Sequence, residues 1–265
     1  FSANRAGTSI SFVSLEDVIA GRADSAKLLI FVNPYRLTSD KVSSLRAKLH
    51  TGNKVSVFMY GFGSLSSSDI QSLTGMTIGS QTASQYSVAL TLESGATTVI
   101  PGLTFTTATK NTSEDESPST IVNPRYRVTA GQTSILGRYS DNSVGCALYS
   151  GQNYKTIFYG SNIIPPEAIR AFANLAGAQV FNTANDVVNA NQDFIMLHVS
   201  YAGNKTITFN TATDVYDYFT DTWYTDVTSV NLGNLSYGAT RYLFYGDKAD
   251  IAARNLPKWR PFPTS

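Results

Sequence analysis

The sequence predicts an α/β protein in which a parallel sheet flanked by helices is followed by a small antiparallel β-sandwich. Three observations predict it. Continuous apolar runs at 27–32 and 55–60 alternate with stretches of helical spacing, as in strands buried on both faces beneath crossover helices. Past residue 190, short apolar stretches follow one another between turn residues, at the density of a sandwich. The 265 residues are 42% hydrophobic and 15% charged, which excludes disorder as the main state and supplies a sizeable core. A soft boundary near Asn191 gives an α/β domain over 1–190, a sandwich over 191–246 and an extended Pro-rich tail over 247–265.

The elements follow in order. Residues 9–13 alternate as a short strand. Ser14 then caps a helix, with Asp17 at the capping-box position and Gly21 as its stop. The run 27–32 reads as a buried parallel strand ended by Asn33-Pro34. Leu37, Val42, Leu45 and Leu49 recur at helical spacing, with Thr38 or Ser39 as cap and Gly52 as stop. The next strand, 55–60, breaks at Gly61-Phe62-Gly63, and Ser67 or Ser68 caps a short helix through Ile70 and Leu73. Beyond Gly75 the pattern turns to strands at 86–92, 104–107 and 135–139, around a polar loop at 110–119. Ser150-Gly151-Gln152-Asn153 marks a hairpin between strands 144–149 and 154–159. Pro165 and Pro166 open a helix whose apolar face is Ile169, Phe172, Ala173 and Ala176, and Gly177 closes it. Short strands are predicted at 179–181, 187–190, 194–200, 205–209, 214–218 and 241–245.

Composition bounds the partners. Lys+Arg is 20 and Asp+Glu 19, a net charge of +1, so no long-range field recruits nucleic acid or an anionic membrane. No apolar run approaches the ~20 residues that span a bilayer. The single cysteine, Cys146, excludes an intrachain disulfide and a Cys-based metal site. The chain starts at Phe1 without a Met or a signal-peptide pattern, as a cleaved or excised piece would. Its polar uncharged side chains, 15 Tyr and 14 Phe point to an extracellular or virion-associated setting. Three triplets, at Asn111, Asn204 and Asn234, fit the glycosylation sequon, a pattern that arises by chance in an Asn/Thr-rich chain.

The ordered series of short motifs carries a resemblance. Leu15-Glu16-Asp17-Val18, the run through Asn33-Pro34, Leu37-Thr38-Ser39 and Gly52-Asn53-Lys54-Val55 come first. Leu136-Gly137-Arg138-Tyr139, Tyr159-Gly160 and the helix opened by Pro165 follow. This series resembles the central flavodoxin-like "trimerisation" domain of family 42 glycoside hydrolases, which are β-galactosidases. Asn185-Asp186-Val187-Val188, Phe194-Ile195-Met196-Leu197-His198 and the stretch from Asn231-Leu232 to Phe244 resemble that family's small C-terminal β-domain. The resemblance covers most of residues 9–246. It implies a flavodoxin-like, class I amidotransferase-like domain, and catalytic carboxylates on an N-terminal (β/α)8 barrel that these residues do not supply. It further implies that the family's usual first strand is contributed elsewhere or absent.

The side chains themselves assemble no reaction centre. An amidotransferase-type site needs a cysteine on a strand-to-helix elbow. The comparable turn, Tyr60-Gly61-Phe62-Gly63-Ser64, has none, and it is not a G-x-S-x-G elbow either. Cys146 lies mid-strand and reads as a buried filler. His50 near a helix end reads as an imidazolium cap, and His198 as structural; no zinc spacing joins them. Three sets of carboxylates are candidates: Glu16/Asp17, Glu114/Asp115/Glu116, and Asp214, Asp217, Asp221 and Asp226. These read as a helix cap, a solvated loop (with weak calcium binding as the minor alternative) and turn residues, since glycosidase work needs a pair facing across a cleft. Gly61-Phe62-Gly63 is too short for a dinucleotide fingerprint.

No catalytic residue, cofactor ligand or metal ligand is therefore assigned. The candidate interface or sugar contacts are Phe62, Trp223, Tyr224, Trp259 and Phe262. The aromatic cluster around Trp223 reads as core about twice as readily as a sugar platform, and Trp259 and Phe262, set among prolines, read as interdomain or intersubunit anchors. The functional expectation is a non-catalytic scaffold and oligomerisation region of a β-galactosidase-like hydrolase, partnered by a catalytic barrel or companion chain and by further copies of itself, with carbohydrate as a further candidate partner. The alternatives are an independent amidotransferase- or esterase-type hydrolase and a carbohydrate-binding module.

Overall fold

The structure, a computed structural model, describes residues 2–35, 37–82, 86–106 and 121–256. These form two compact units: one runs from Phe12 to Ala178, and the other joins the stretch before Phe12 to the stretch after Ala178.

The first unit begins with α1 (Leu15–Ile19). Ser14 Oγ accepts from the Asp17 amide at 3.0 Å and Asp17 reaches back to the Ser14 amide at 3.3 Å, the reciprocal cap expected from the sequence. Then come β1 (Leu28–Val32), α2 (Ser39–Leu49), β2 (Lys54–Met59) and α3 (Ser67–Thr74). The cap of α3 is Ser66, one residue before the expected pair, because its hydroxyl reaches the Asp69 amide at 3.1 Å. β3 (Thr77–Gln81), β4 (Tyr86–Ser87), β5 (Thr91–Leu92) and α4 (Ala96–Val99) precede β6 (Ile121–Val122), β7 (Arg125–Ala130) and β8 (Ser134–Arg138). β9 (Val144–Ser150) and β10 (Tyr154–Tyr159) form the expected hairpin, and α5 (Pro166–Leu175) closes the unit with Pro166 in its first turn.

The main sheet runs β1-β2-β10-β9-β7-β3, with β8 on β9 and β5 on β8. Only β1/β2 and β2/β10 are parallel; every other pairing is antiparallel. The expected parallel sheet is thus corrected to a mixed one. The hairpin at Gly151 reverses the chain beside β10, and a tight turn can join only antiparallel neighbours. The strand expected at 9–13 is unpaired, that at 104–107 is not a strand over its described part, and 86–92 is interrupted.

Helices cover both faces. Val18, Leu45, Ile70 and Leu73 of α1–α3 pack with Phe58 and Phe158. Ala96 of α4 and Ala168 and Phe172 of α5 pack with Val57 and Ile157. β2 is therefore buried at every position, which is why Val55, Val57, Phe58 and Met59 supply apolar side chains to both faces, with Lys54 and Ser56 buried among them.

The second unit is one antiparallel sheet of five strands, β11 (Val187–Ala190), β12 (Phe194–His198), β13 (Gly203–Asp217), β14 (Thr222–Leu235) and β15 (Thr240–Gly246), ordered β11-β12-β15-β13-β14. The strands expected at 205–209 and 214–218 are one long strand, bent where the register shifts between Thr208 and Thr213, since a bulge kinks a strand without ending it. The stretch expected as a strand at 179–181 contributes only an isolated bridge from Val180 to Thr8. Lys248–Ala253, expected within an extended tail, is a short helix, α6, because Asp247 caps the Ala249 amide at 2.7 Å before the prolines begin.

Candidate functional site

In open α/β sheets, ligands gather at the carboxyl ends of parallel strands, which here means the turn after β2. Tyr60 takes φ +65, an outlier for a bulky residue and a mark of local strain. Its surroundings hold it there. The Tyr60 amide donates to Tyr159 O at 2.8 Å, its phenol donates to Pro124 O at 2.8 Å, and its ring meets Tyr126 edge-on at 5.8 Å. A Cβ on Gly61 would sit 2.5 Å from the Tyr126 ring, and one on Gly63 would sit 2.0 Å from Tyr35 O, so this turn accepts only glycine at both positions. The residue at the apex is a tyrosine whose phenol is pushed up by burial. Its hydroxyl donates to Pro124 O.

Beside it Arg125 is buried between the rings of Tyr86 and Tyr139, each 4.4 Å from the guanidinium carbon. It donates to Gln81 Oε1 at 2.8 Å and pairs with Asp141. Burial pushes the Asp141 carboxyl up, but Ser143 and Arg125 together outweigh it and hold it below the usual range. Burial likewise raises the Tyr139 phenol, which donates to Tyr126 O at 2.9 Å. This assembly was missed at the sequence level because its members are scattered from 81 to 143 with no shared spacing. Arg125 is buried and directs its donors to Gln81, Ser87, Asp141 and Ser143, so it braces these strands.

The sequence candidates do not converge. Phe62 is fully buried, 5.5 Å from the Phe58 ring and 6.3 Å from that of Phe158, and with no surface left for a sugar or partner it is withdrawn from the contacts. Trp223 and Tyr224 lie in the second unit on opposite faces of β14. Tyr224 packs toward the core. Trp223 ends a cross-strand aromatic row, Phe194–Phe244–Tyr216–Trp223, set by register. α6 packs on β15 and β13 beneath this row, with Lys248 Nζ 5.2 Å from the Trp223 ring and Arg254 5.8 Å from that of Phe244. Trp259 and Phe262, the acidic group Glu114/Asp115/Glu116 and the Asn111 sequon lie outside the described residues.

Cys146 is wholly buried and burial pushes its thiol well up, so it carries no thiolate at neutral pH. His50 stacks on Tyr154 at 3.6 Å and its Nε2 meets Leu73 O at 2.8 Å. Burial lowers its pKa, so the expected imidazolium cap is corrected to a neutral ring donating to the last turn of α3. His198, in the other unit, bonds Thr240 Oγ1 at 2.9 Å.

The carboxylates hold structure. Glu16 pairs with Lys41 at 2.7 Å, Asp214 accepts from the Asp226 amide at 2.9 Å, Asp217 from the Phe219 amide at 3.0 Å and Asp221 from the Tyr216 phenol at 2.9 Å. Among the described residues no group of three or more His, Cys, Asp or Glu side chains is arranged to hold a metal ion. A shallow depression of about 280 Å³ near β5 and β8 is lined by Glu93, Arg138 and Asn142. Its two charges pair with each other.

No protein-family model and no curated protein matches the sequence. The fold is similar to part of two solved structures. One is a β-galactosidase from Bacillus circulans sp. alkalophilus, with TM-score 0.55 and 10% identity over 92% of this chain and 36% of that one. The other is the polyextremophilic β-galactosidase from the Antarctic haloarchaeon Halorubrum lacusprofundi, with TM-score 0.51 and 9% identity over 93% of this chain and 34% of that one. The chain spans about a third of the length of these proteins, and at such identity the likeness is one of fold.

Proposed function

We propose that this chain is a non-catalytic scaffold of a larger β-galactosidase-like glycoside hydrolase, carrying a family 42-like, flavodoxin-like unit and a small β-domain that brace a catalytic barrel located outside these residues. The observation that carries the reading is the fold match, which takes in nearly all of this chain but only about a third of each β-galactosidase. The described side chains support it. The strained strand-to-helix turn bears Tyr60 where a nucleophile would stand, Cys146 is buried, and the carboxylates of Glu16, Asp17, Asp214, Asp217 and Asp221 are engaged in caps, turns or ion pairs. Assembly with further copies of itself belongs to the same reading.

The test is enzymatic and physical together. The purified 265-residue chain should leave chromogenic galactosides and esters intact. An antibody raised against it should detect, in the source, galactosidase activity in a polypeptide or complex about three times its mass. Galactoside or ester hydrolysis by the chain alone, abolished by one point substitution, overturns the proposal.

A further inference from the structure

Asp186 and Lys205, both in the second unit, form the most deeply buried ion pair among the described residues. Their side chains are 0% and 3% exposed, whereas every other described pair leaves at least one partner within reach of solvent. Lys205 Nζ lies 3.0 Å from Asp186 Oδ1 and 2.9 Å from Oδ2, so it stands against the whole carboxyl group rather than at one oxygen. Asp186 directly precedes β11, and Lys205 is near the start of β13. Val188 and Ile207, each two residues further along, belong to the apolar core of the unit.

The two carboxylate oxygens are not equivalent. Oδ1 also accepts the Ser200 amide at 2.9 Å, while Oδ2 is buried and, among the described residues, meets only Lys205. Holding two charges out of water is strongly unfavourable, and a neutral amide in their place carries no such penalty. Contact in a fixed geometry supplies in advance the entropy of bringing amine and carboxyl together. The Ser200 N–H is set where negative charge builds on Oδ1 when a nucleophile adds to the carboxyl carbon.

We propose that Lys205 and Asp186 condense in the folded chain to an isopeptide bond, with the ion pair as its reactant state. Lys205 passes a proton to Oδ2, and the freed nitrogen lone pair attacks Asp186 Cγ. The Nζ–Cγ bond forms while charge collects on Oδ1 beside the Ser200 amide. The Cγ–Oδ2 bond then breaks as Oδ2 takes a second proton from the nitrogen and departs as water. An ammonium and a carboxylate become an amide and one water, with no oxidant, reductant or further reactant. The bond closes a loop over residues 186–205 that contains β11 and β12, and it ties the entry of the edge strand β11 to β13, a strand with which β11 does not pair. It staples the unit as a disulfide would, in a chain whose single cysteine permits none.

Intact-mass spectrometry of the full chain under denaturing conditions tests the proposal. The folded chain should be lighter than its sequence by one water, and digestion should release a branched peptide joining the segment of Asp186 to that of Lys205. Chain kept in urea should retain its full mass and lose the water only after refolding, because the two groups meet only in the fold. Lys205→Arg keeps a cation beside Asp186 but offers no amine to acylate, so it should restore the full mass. Full mass in folded chain after prolonged incubation, a water loss that Lys205→Arg retains, or a loss that maps to a cyclic imide within one unbranched peptide would each overturn the proposal. None of these outcomes bears on the β-galactosidase-like reading.

Discussion

The two units bury apolar surface in different ways. In the first, β2 is enclosed between α1–α3 on one face and α4–α5 on the other, so each of its residues is committed to a core. In the second, the strands alternate: Ile195, Leu197, Val215 and Leu243 face the core, while the partly exposed Phe194, Trp223 and Phe244 and the buried Tyr216 form an aromatic row seated against α6. Where a sheet is covered on both sides, every position is sensitive; where it is covered on one, sensitivity follows the face.

The largest effect that could break this contrast is at Phe62. Phe62→Ala should cost about 3–5 kcal/mol, because a ring packed between Phe58 and Phe158 leaves a cavity that rigid strands cannot fill. Urea unfolding measures it, and a loss under about 1 kcal/mol would mean that the β2 turn is not core. Next is the buried ion pair of the second unit, where Lys205 Nζ lies 2.9 Å from Asp186 Oδ2 and both side chains are almost fully covered. Lys205→Met should cost about 3 kcal/mol, since it strands a buried carboxylate. On the aromatic face the expected changes are smaller. Trp223→Ala should cost about 1 kcal/mol, much of it the Lys248 cation–π contact, and Lys248→Ala made on that background should add little; a full additive loss in the double variant would show that α6 does not seat on the row.

The smallest expected effect is a pH dependence. Burial lowers the His50 pKa in the folded chain, so the unfolded chain takes up the proton first. Stability on this account is complete above the ordinary histidine pKa near 6.5 and falls as pH drops through it toward the folded value. Replacing His50 by Gln should flatten the urea midpoint between pH 7 and 5, whereas an unchanged slope would assign that dependence to other groups.

Much of the local structure was legible. The reciprocal cap at Ser14 and Asp17, the continuous apolar run that became β1, the hairpin through Gly151 and the Pro-opened helix α5 each follow from residues within about a turn or a strand of one another. β3 and β7 were missed for different reasons. Thr77–Gln81 buries only Ile78, too little for a period of two to show, while in Arg125–Ala130 the buried Tyr126 and Val128 do alternate with polar neighbours. The candidate site was less legible. Nothing beside Phe62 in the sequence reports that its ring packs between Phe58 and Phe158.

By itself the sequence determined helices α1, α2, α3 and α5 and strands β1, β2, β8, β9 and β10 of the first unit, and which helix faces are apolar. Those are properties of neighbours along the chain, set by dihedral preferences, caps and hydrophobic period. Only the tertiary structure decided that the sheet is mixed, that β13 is one bent strand, that Arg125 is sandwiched between Tyr86 and Tyr139, and that β1 stands at an edge. Side-chain period reports which face of a strand is buried; strand direction, order and edge are settled by hydrogen-bond partners tens of residues away, and no local pattern encodes them.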